Sequence, residues 1–181
     1  METYIAMLRG INVSGQKKIK MADLKAHFEQ LNFKNVQTYI QSGNVIFNNK
    51  KSAAAMLEKA IEQKILKEYG FRVPVIVKSP NELRYVLANN SFLNDQSKDK
   101  SRLYVTFLAE EPAVVHVEKL KSIDHSPEAY ILDVQHIYFF SPHGYGRAKM
   151  NNNFFENKLK VAATTRNWKT VNKLSEMANG N

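Results

Sequence analysis

Between Thr3 and Lys78 the apolar residues switch between a strand's spacing and a helix's, in an order that few folds admit. "TYIAMLR" (Thr3 to Arg9) reads as a strand, and the loop "GINVSGQKKIK" follows it. Met21, Leu24, Phe28 and Leu31 then recur at helical spacing. "VQTYIQ" and "NVIFN" are two strand-like runs separated by Ser42-Gly43, a hairpin signal. Ser52 is placed to cap a helix whose apolar stripe is Leu57, Ile61, Ile65 and Tyr69, and Gly70 is placed to end it in a left-handed conformation. "VPVIVK" (Val73 to Lys78) closes the unit as a strand. The order βαββαβ is that of a ferredoxin-like plait.

The second half repeats this order less completely. "SPNE" (Ser79 to Glu82) starts a helix: serine caps, proline takes the first helical position and glutamate completes a capping box. "NNSFLNDQSKDKS" (Asn89 to Ser101) is a polar stretch expected to be a linker or mobile segment. The strand "RLYVTFLA", a helix from Pro112 with Val114, Val117 and Leu120 inward, and the strands "AYIL" and "HIYFF" come next. The loop "SPHGYGRAK" leads to a helix near Asn151, and a last helix is expected to start near Thr165. This half reads as a second plait lacking its final strand, and no sequence repeat links the halves. The expected fold class is α+β, with one subdomain over residues 1–79 and a second, with C-terminal helices, over 80–181.

Composition removes several functions. At 181 residues with 44% apolar content, the chain is long and apolar enough to build a real core. No run of about 18 apolar residues exists to span a membrane. The start "METYIAMLRG" reads as a strand rather than a secretory signal, having no basic leader region. The absence of cysteine excludes disulfides, thiolate zinc sites and a cysteine nucleophile, and a cytoplasmic protein is the plain expectation. His27, His116, His125, His136 and His143 lack metal-ligand spacing, and no hydrolytic triad is recognisable, so neither a metal nor another cofactor is expected. "YIQSGNVIF" also lacks the basic-glycine-aromatic run of an RNA-recognition strand.

Charge points to anions. The net charge of +9 is uneven: +7 over residues 1–90, −3 over 91–140 and +5 over 141–181. Such an excess attracts phosphate-bearing partners, although lysines, which make up 20 of the 26 basic residues, also serve solubility. Three of the six arginines lie in polar loop contexts: Arg9 in "LRGIN", Arg147 in "GYGRAK" and Arg166 in "TTRNW". Arginine suits a bidentate grip on carboxylate or phosphate, and equally a bridge to loop carbonyls.

In "GINVSGQKK", Gly10 and Gly15 bracket four residues ahead of Lys17 and Lys18, a near miss of the phosphate-binding P-loop that lacks its adjacent lysine and hydroxyl. It reads either as a turn that needs glycine or as a basic loop whose amides hold an anion. Tyr145, between two glycines and close to Arg147 and Lys149, either stacks a ring or packs with its hydroxyl tied down. In "ATTRNWKTV", Thr165 is the expected N-cap, with Trp168 turned inward and Arg166 and Asn167 beside free helix amides.

Four segments taken together, "YIAMLRGINV", "KIKMADL" with "TYIQSGNV", "GYGRAKMNN" and "ATTRNWKTV", closely resemble the domain-of-unknown-function family 1697, an uncharacterised and mainly bacterial group, over nearly the whole chain. The resemblance implies two interlocked ferredoxin-like subdomains and no particular reaction. Its motif positions fall here on Arg9, Gly10, Asn12, Gln41, Ser42, Gly43 and Asn44, and on Gly144, Gly146, Arg147, Lys149 and Thr164 to Trp168. Members often carry glycine at Ser14, serine at Ala148 and asparagine at Lys169; alanine at 148 removes a hydroxyl from any mechanism that needs one there.

The candidate ligand-binding set is therefore Arg9, Asn12, Lys18, Gln41, Ser42 and Asn44 in the first half, and Tyr145, Arg147, Lys149, Thr165, Arg166 and Asn167 in the second. The leading expectation is a protein that binds an anionic small molecule bearing phosphate or carboxylate. An enzyme acting on a phosphorylated substrate and a non-specific nucleic-acid binder are the alternatives. No membrane partner is expected, and self-association into a homo-oligomer is left open.

Overall fold

The first unit runs β1 (Glu2–Leu8), α1 (Met21–Gln30), β2 (Lys34–Tyr39), β3 (Asn44–Asn49), α2 (Ala54–Tyr69) and β4 (Val75–Lys78) in a computed structural model that describes residues 1–180. Its sheet is antiparallel in the order β2-β3-β1-β4, the ferredoxin-like plait that the periodicities predict. After α3 (Pro80–Ala88), the second unit runs β5 (Leu103–Leu108), α4 (Val114–Lys121), β6 (Ala129–Asp133), β7 (His136–Phe140), α5 (Asn152–Leu159) and β8 (Ala163–Asn167), followed by α6 (Trp168–Asn179). Its antiparallel sheet has the same order, β6-β7-β5-β8. The chain divides into Met1–Tyr85 with the stretch from Lys173 onward, and Val86–Asn172.

Alternation explains the strands. Tyr4, Ala6 and Leu8 of β1 meet Leu24 and Phe28 of α1 and Leu57, Ile61 and Ile65 of α2 in one core. Ile5 and Met7, on the opposite face, are also fully buried, so the strand reads as a continuous apolar run. Phe47 of β3 stacks on Phe33 at 4.3 Å between centroids. The second core joins Tyr104 and Leu108 of β5 to Phe139 of β7, Phe155 and Leu159 of α5 and Ala163 of β8.

Several helix ends follow their sequence signals. Gly70 caps α2 at φ +74° and donates to the Leu66 carbonyl. At α3 the Ser79 hydroxyl accepts the Glu82 N–H while Glu82 accepts the Ser79 N–H, a complete capping box. Asn151 accepts the Phe154 N–H and starts α5.

Other expectations are corrected. The second plait does not lack its final strand: Ala163–Asn167 is β8, paired with β5. Thr165 is therefore not an N-cap; Asn167 is, accepting the Thr170 N–H at 2.7 Å, and Trp168 is the first helical residue, half-buried. Ser52 does not cap α2. Its hydroxyl bonds the Lys50 carbonyl, its N–H donates to the Tyr4 hydroxyl, and Ala53 takes the cap position. Val114 is 75% exposed rather than inward. Residues 89–101 do not hang free either: Asn90 accepts the Phe92 N–H, Phe92 is buried, and the Lys98 ammonium lies over the Phe92 and Phe140 rings.

Carboxylates from the second helix of each plait close one sheet edge. Glu62 and Glu58 of α2 accept the Val75 and Val77 N–H groups of edge strand β4 at 2.9 and 2.8 Å. Glu156 of α5 accepts the Ala163 N–H of edge strand β8 at 2.8 Å. Edge N–H groups that would otherwise recruit a foreign strand are thereby satisfied.

Candidate functional site

The candidate residues of the first unit gather where β1 and β2 finish and β3 and β4 begin. Arg9, just past β1, donates its backbone N–H to the Pro74 carbonyl. Asn12 is a clamp: its carbonyl oxygen accepts the Ile19 N–H, and its amide donates to the carbonyls of Ile19 and Gln41, all at 2.9 Å. The Asn44 amide donates to the Ser42 hydroxyl and the Tyr39 carbonyl, each at 3.0 Å. Asn12, Gln41, Ser42 and Asn44 are thus brought together, but chiefly to tie two loops to each other. Lys18 stands outside this network, exposed.

The intervening loop is a small hairpin. Gln16 donates to the Val13 carbonyl across Ser14 (φ +49°) and Gly15 (φ +75°). Two successive central residues with positive φ are what a type I′ turn needs, so the glycine serves the turn. Positive φ also gives a physical reason for the glycine that resembling sequences carry at Ser14. The Lys17 ammonium is held on the Arg72 carbonyl at 2.7 Å.

In the second unit the candidates lie where β7 and β8 finish and β5 and β6 begin. The Tyr145 ring packs 5.2 Å from Tyr104; its backbone donates to the Tyr104 hydroxyl, and its own hydroxyl accepts the Asn152 N–H. The geometry favours the packing role over a stacking platform. Thr165 donates to the Asn152 carbonyl oxygen at 3.0 Å and must then accept from Thr106, 2.8 Å away. Asn167 is spent on the α6 cap. Arg166 is buried and donates to the Thr164 hydroxyl and the Thr165 carbonyl at 2.9 Å. Burial pushes its guanidinium down to about 10, partly countered by Tyr145, so it stays charged at neutral pH.

Arg147 and Lys149 are exposed on either side of buried Ala148. The neighbouring carboxylate, Glu128, spends both oxygens on the Lys149 and Met150 N–H groups at 2.8 and 2.9 Å. A further cation, Arg102, lies against the same turn, and the sequence gives little sign of it. Gly144 (φ +84°) lies so close to Arg102 that a Cβ there would stand 2.7 Å from the guanidinium Nη1. The sequence signal was the pair Gly144 and Gly146, which marks a turn without naming Arg102 as its neighbour. Among the described residues, Arg102, Arg147 and Lys149 make no ion pair. No group of three or more His, Asp or Glu able to hold a metal occurs among the described residues, and no helix there is long and apolar enough to cross a membrane.

A family model described as "Protein of unknown function (DUF1697)" matches residues 1–138. Among solved structures, the conserved bacterial protein SP0830 from Streptococcus pneumoniae is similar, with 26% identity, a TM-score of 0.77 and coverage of 98% of each chain. No curated protein matches.

Proposed function

This chain belongs to the DUF1697 family, and on that premise we propose that it binds a phosphate- or carboxylate-bearing ligand at the turn Ser141–Lys149. One observation carries the reading: the exposed Arg102 lies against Gly144 of the turn that also carries exposed Arg147 and Lys149, while the neighbouring carboxylate, Glu128, is consumed by backbone N–H groups. Exposed cations held along one segment raise the local potential and attract an anion. Arginine adds paired donors that match carboxylate or phosphate oxygens.

Calorimetric titration with inorganic phosphate, pyrophosphate and citrate tests this. Saturable binding is expected, weakened about tenfold in Arg102→Ala and Arg147→Ala, a loss of about 1.4 kcal/mol each. Binding unchanged in both variants would sink the site. A single-stranded oligonucleotide bound with steep salt dependence, in preference to the small anions, would instead favour the nucleic-acid reading.

A further inference from the structure

A second feature, on the first unit, has its own chemistry. A cleft of about 350 Å³ lies between α2 and the segment entering β4. That volume is within the range of small-ligand pockets. Its apolar lining is Leu66, Val73 and Pro74, of which Val73 is buried and Leu66 exposed. Lys59 and Arg72 stand on its rim, exposed, and among the described residues neither makes an ion pair. Glu62 also lines it, but its Oε1 is committed to the Val75 N–H. That fixed carboxylate disfavours an anionic group beside it, so a charged head belongs against Lys59 and Arg72 and an uncharged body against the apolar lining.

The cleft also adjoins the motif loop. Arg72 and Pro74 line it, while the Arg72 carbonyl holds the Lys17 ammonium and the Pro74 carbonyl accepts the Arg9 N–H. Two residues that line the cleft therefore also hold the loop between β1 and α1 through their carbonyls.

We infer that this cleft binds a small organic anion with one charged head and an apolar body, the head on Lys59 and Arg72 and the body on Leu66, Val73 and Pro74. The cleft is formed by the first unit alone, and its test does not depend on the turn at Ser141–Lys149.

Amide-resolved NMR titration of the full chain tests this with hexanoate and hexyl phosphate, and with inorganic phosphate and hexanol as the two halves of the ligand. Either amphiphile is expected to give saturable shifts at Gln63, Leu66, Arg72 and Val73, with smaller shifts at Lys17 and Lys18. Whichever binds more tightly assigns the head as carboxylate or phosphate. Inorganic phosphate and hexanol are each expected to need at least about tenfold higher concentration. Arg72→Ala and Leu66→Glu, both at exposed positions, are expected to weaken binding about tenfold while leaving the unfolding midpoint in place. The inference is overturned if neither amphiphile saturates, if inorganic phosphate alone produces the same shifts at the same concentration, or if both variants bind as the wild type does.

Discussion

Ile40 sits at φ +51° with 47% of its surface exposed. A β-branched residue there pays a steric penalty of about 1–2 kcal/mol that asparagine or glycine would largely escape. We predict that Ile40→Asn raises stability by about 0.5–1 kcal/mol in urea denaturation, part of the relief being offset by lost apolar contact. Unchanged or lowered stability would show that the side chain is held by more than its backbone suggests. Gly43, three residues on at φ +80°, answers the opposite way. A Cβ there would lie 2.7 Å from Ile11 Cδ1 and 2.9 Å from Leu8 Cβ, so Gly43→Ala is expected to cost about 3 kcal/mol. Legibility at this scale follows from chemistry. Gly70 and the Ser79–Glu82 box were readable because one residue type does one local job. Arg102 was not, because its place depends on the Gly144 conformation 42 residues later in the chain.

The final strand shows where pattern reading fails for a whole element. "ATTRN" has no apolar alternation, and threonine favours both helix caps and strands. What makes it a strand is pairing with β5 across roughly sixty residues, which no local window contains. The long periodic elements of the first unit were legible because each buries a stripe of its own; β8 is held mainly by partners. Thr106 is fully buried, and Thr165 is its hydrogen-bond partner. Thr165→Val leaves the Thr106 hydroxyl unsatisfied and is expected to destabilise by about 1–3 kcal/mol. Thr106→Val with Thr165→Val removes both groups, and the pair is expected to cost clearly less than the two single changes together. Simple additivity in denaturation measurements would refute this coupling.

Over the whole chain, the two plaits correspond position by position although their sequences do not. In the first sheet Ala6 stands opposite Val45 and Val77; in the second, Thr106 stands opposite Ile137 and Thr165. One step along, Ile5 faces Lys78 and Val105 faces Arg166, so these two buried cations occupy equivalent places. Each precedes a helix cap, Ser79 or Asn167. Glu62 and Glu156 bond equivalent strand residues, and the pairing sets "IEQKI" beside "FENKL", a likeness too short to be read as a repeat in the sequence. The rest is hidden because the fold asks only for size and polarity at each place, and loops of unequal length break the alignment.

Protonation tests this charge architecture across the same whole chain, through two carboxylates shifted in opposite directions. Glu58 is raised above its ordinary value, mainly by burial, with the Val77 N–H pulling the other way. Its folded form therefore prefers the proton, and its contribution is fullest below the ordinary glutamate range and lost as pH rises through the raised value. Asp95 is lowered to about 2, chiefly by its hydrogen bond from Lys98 and then by Ser97. Its contribution is present above the ordinary aspartate value and lost as pH falls toward about 2. Urea midpoints measured between about pH 3 and about pH 7 should then separate the variants. Glu58→Gln should gain on the wild type as pH rises, while Asp95→Asn should fall further behind it. Parallel curves for the two variants would contradict the assignment of Glu58 to a desolvating strand edge and of Asp95 to an ion-paired turn.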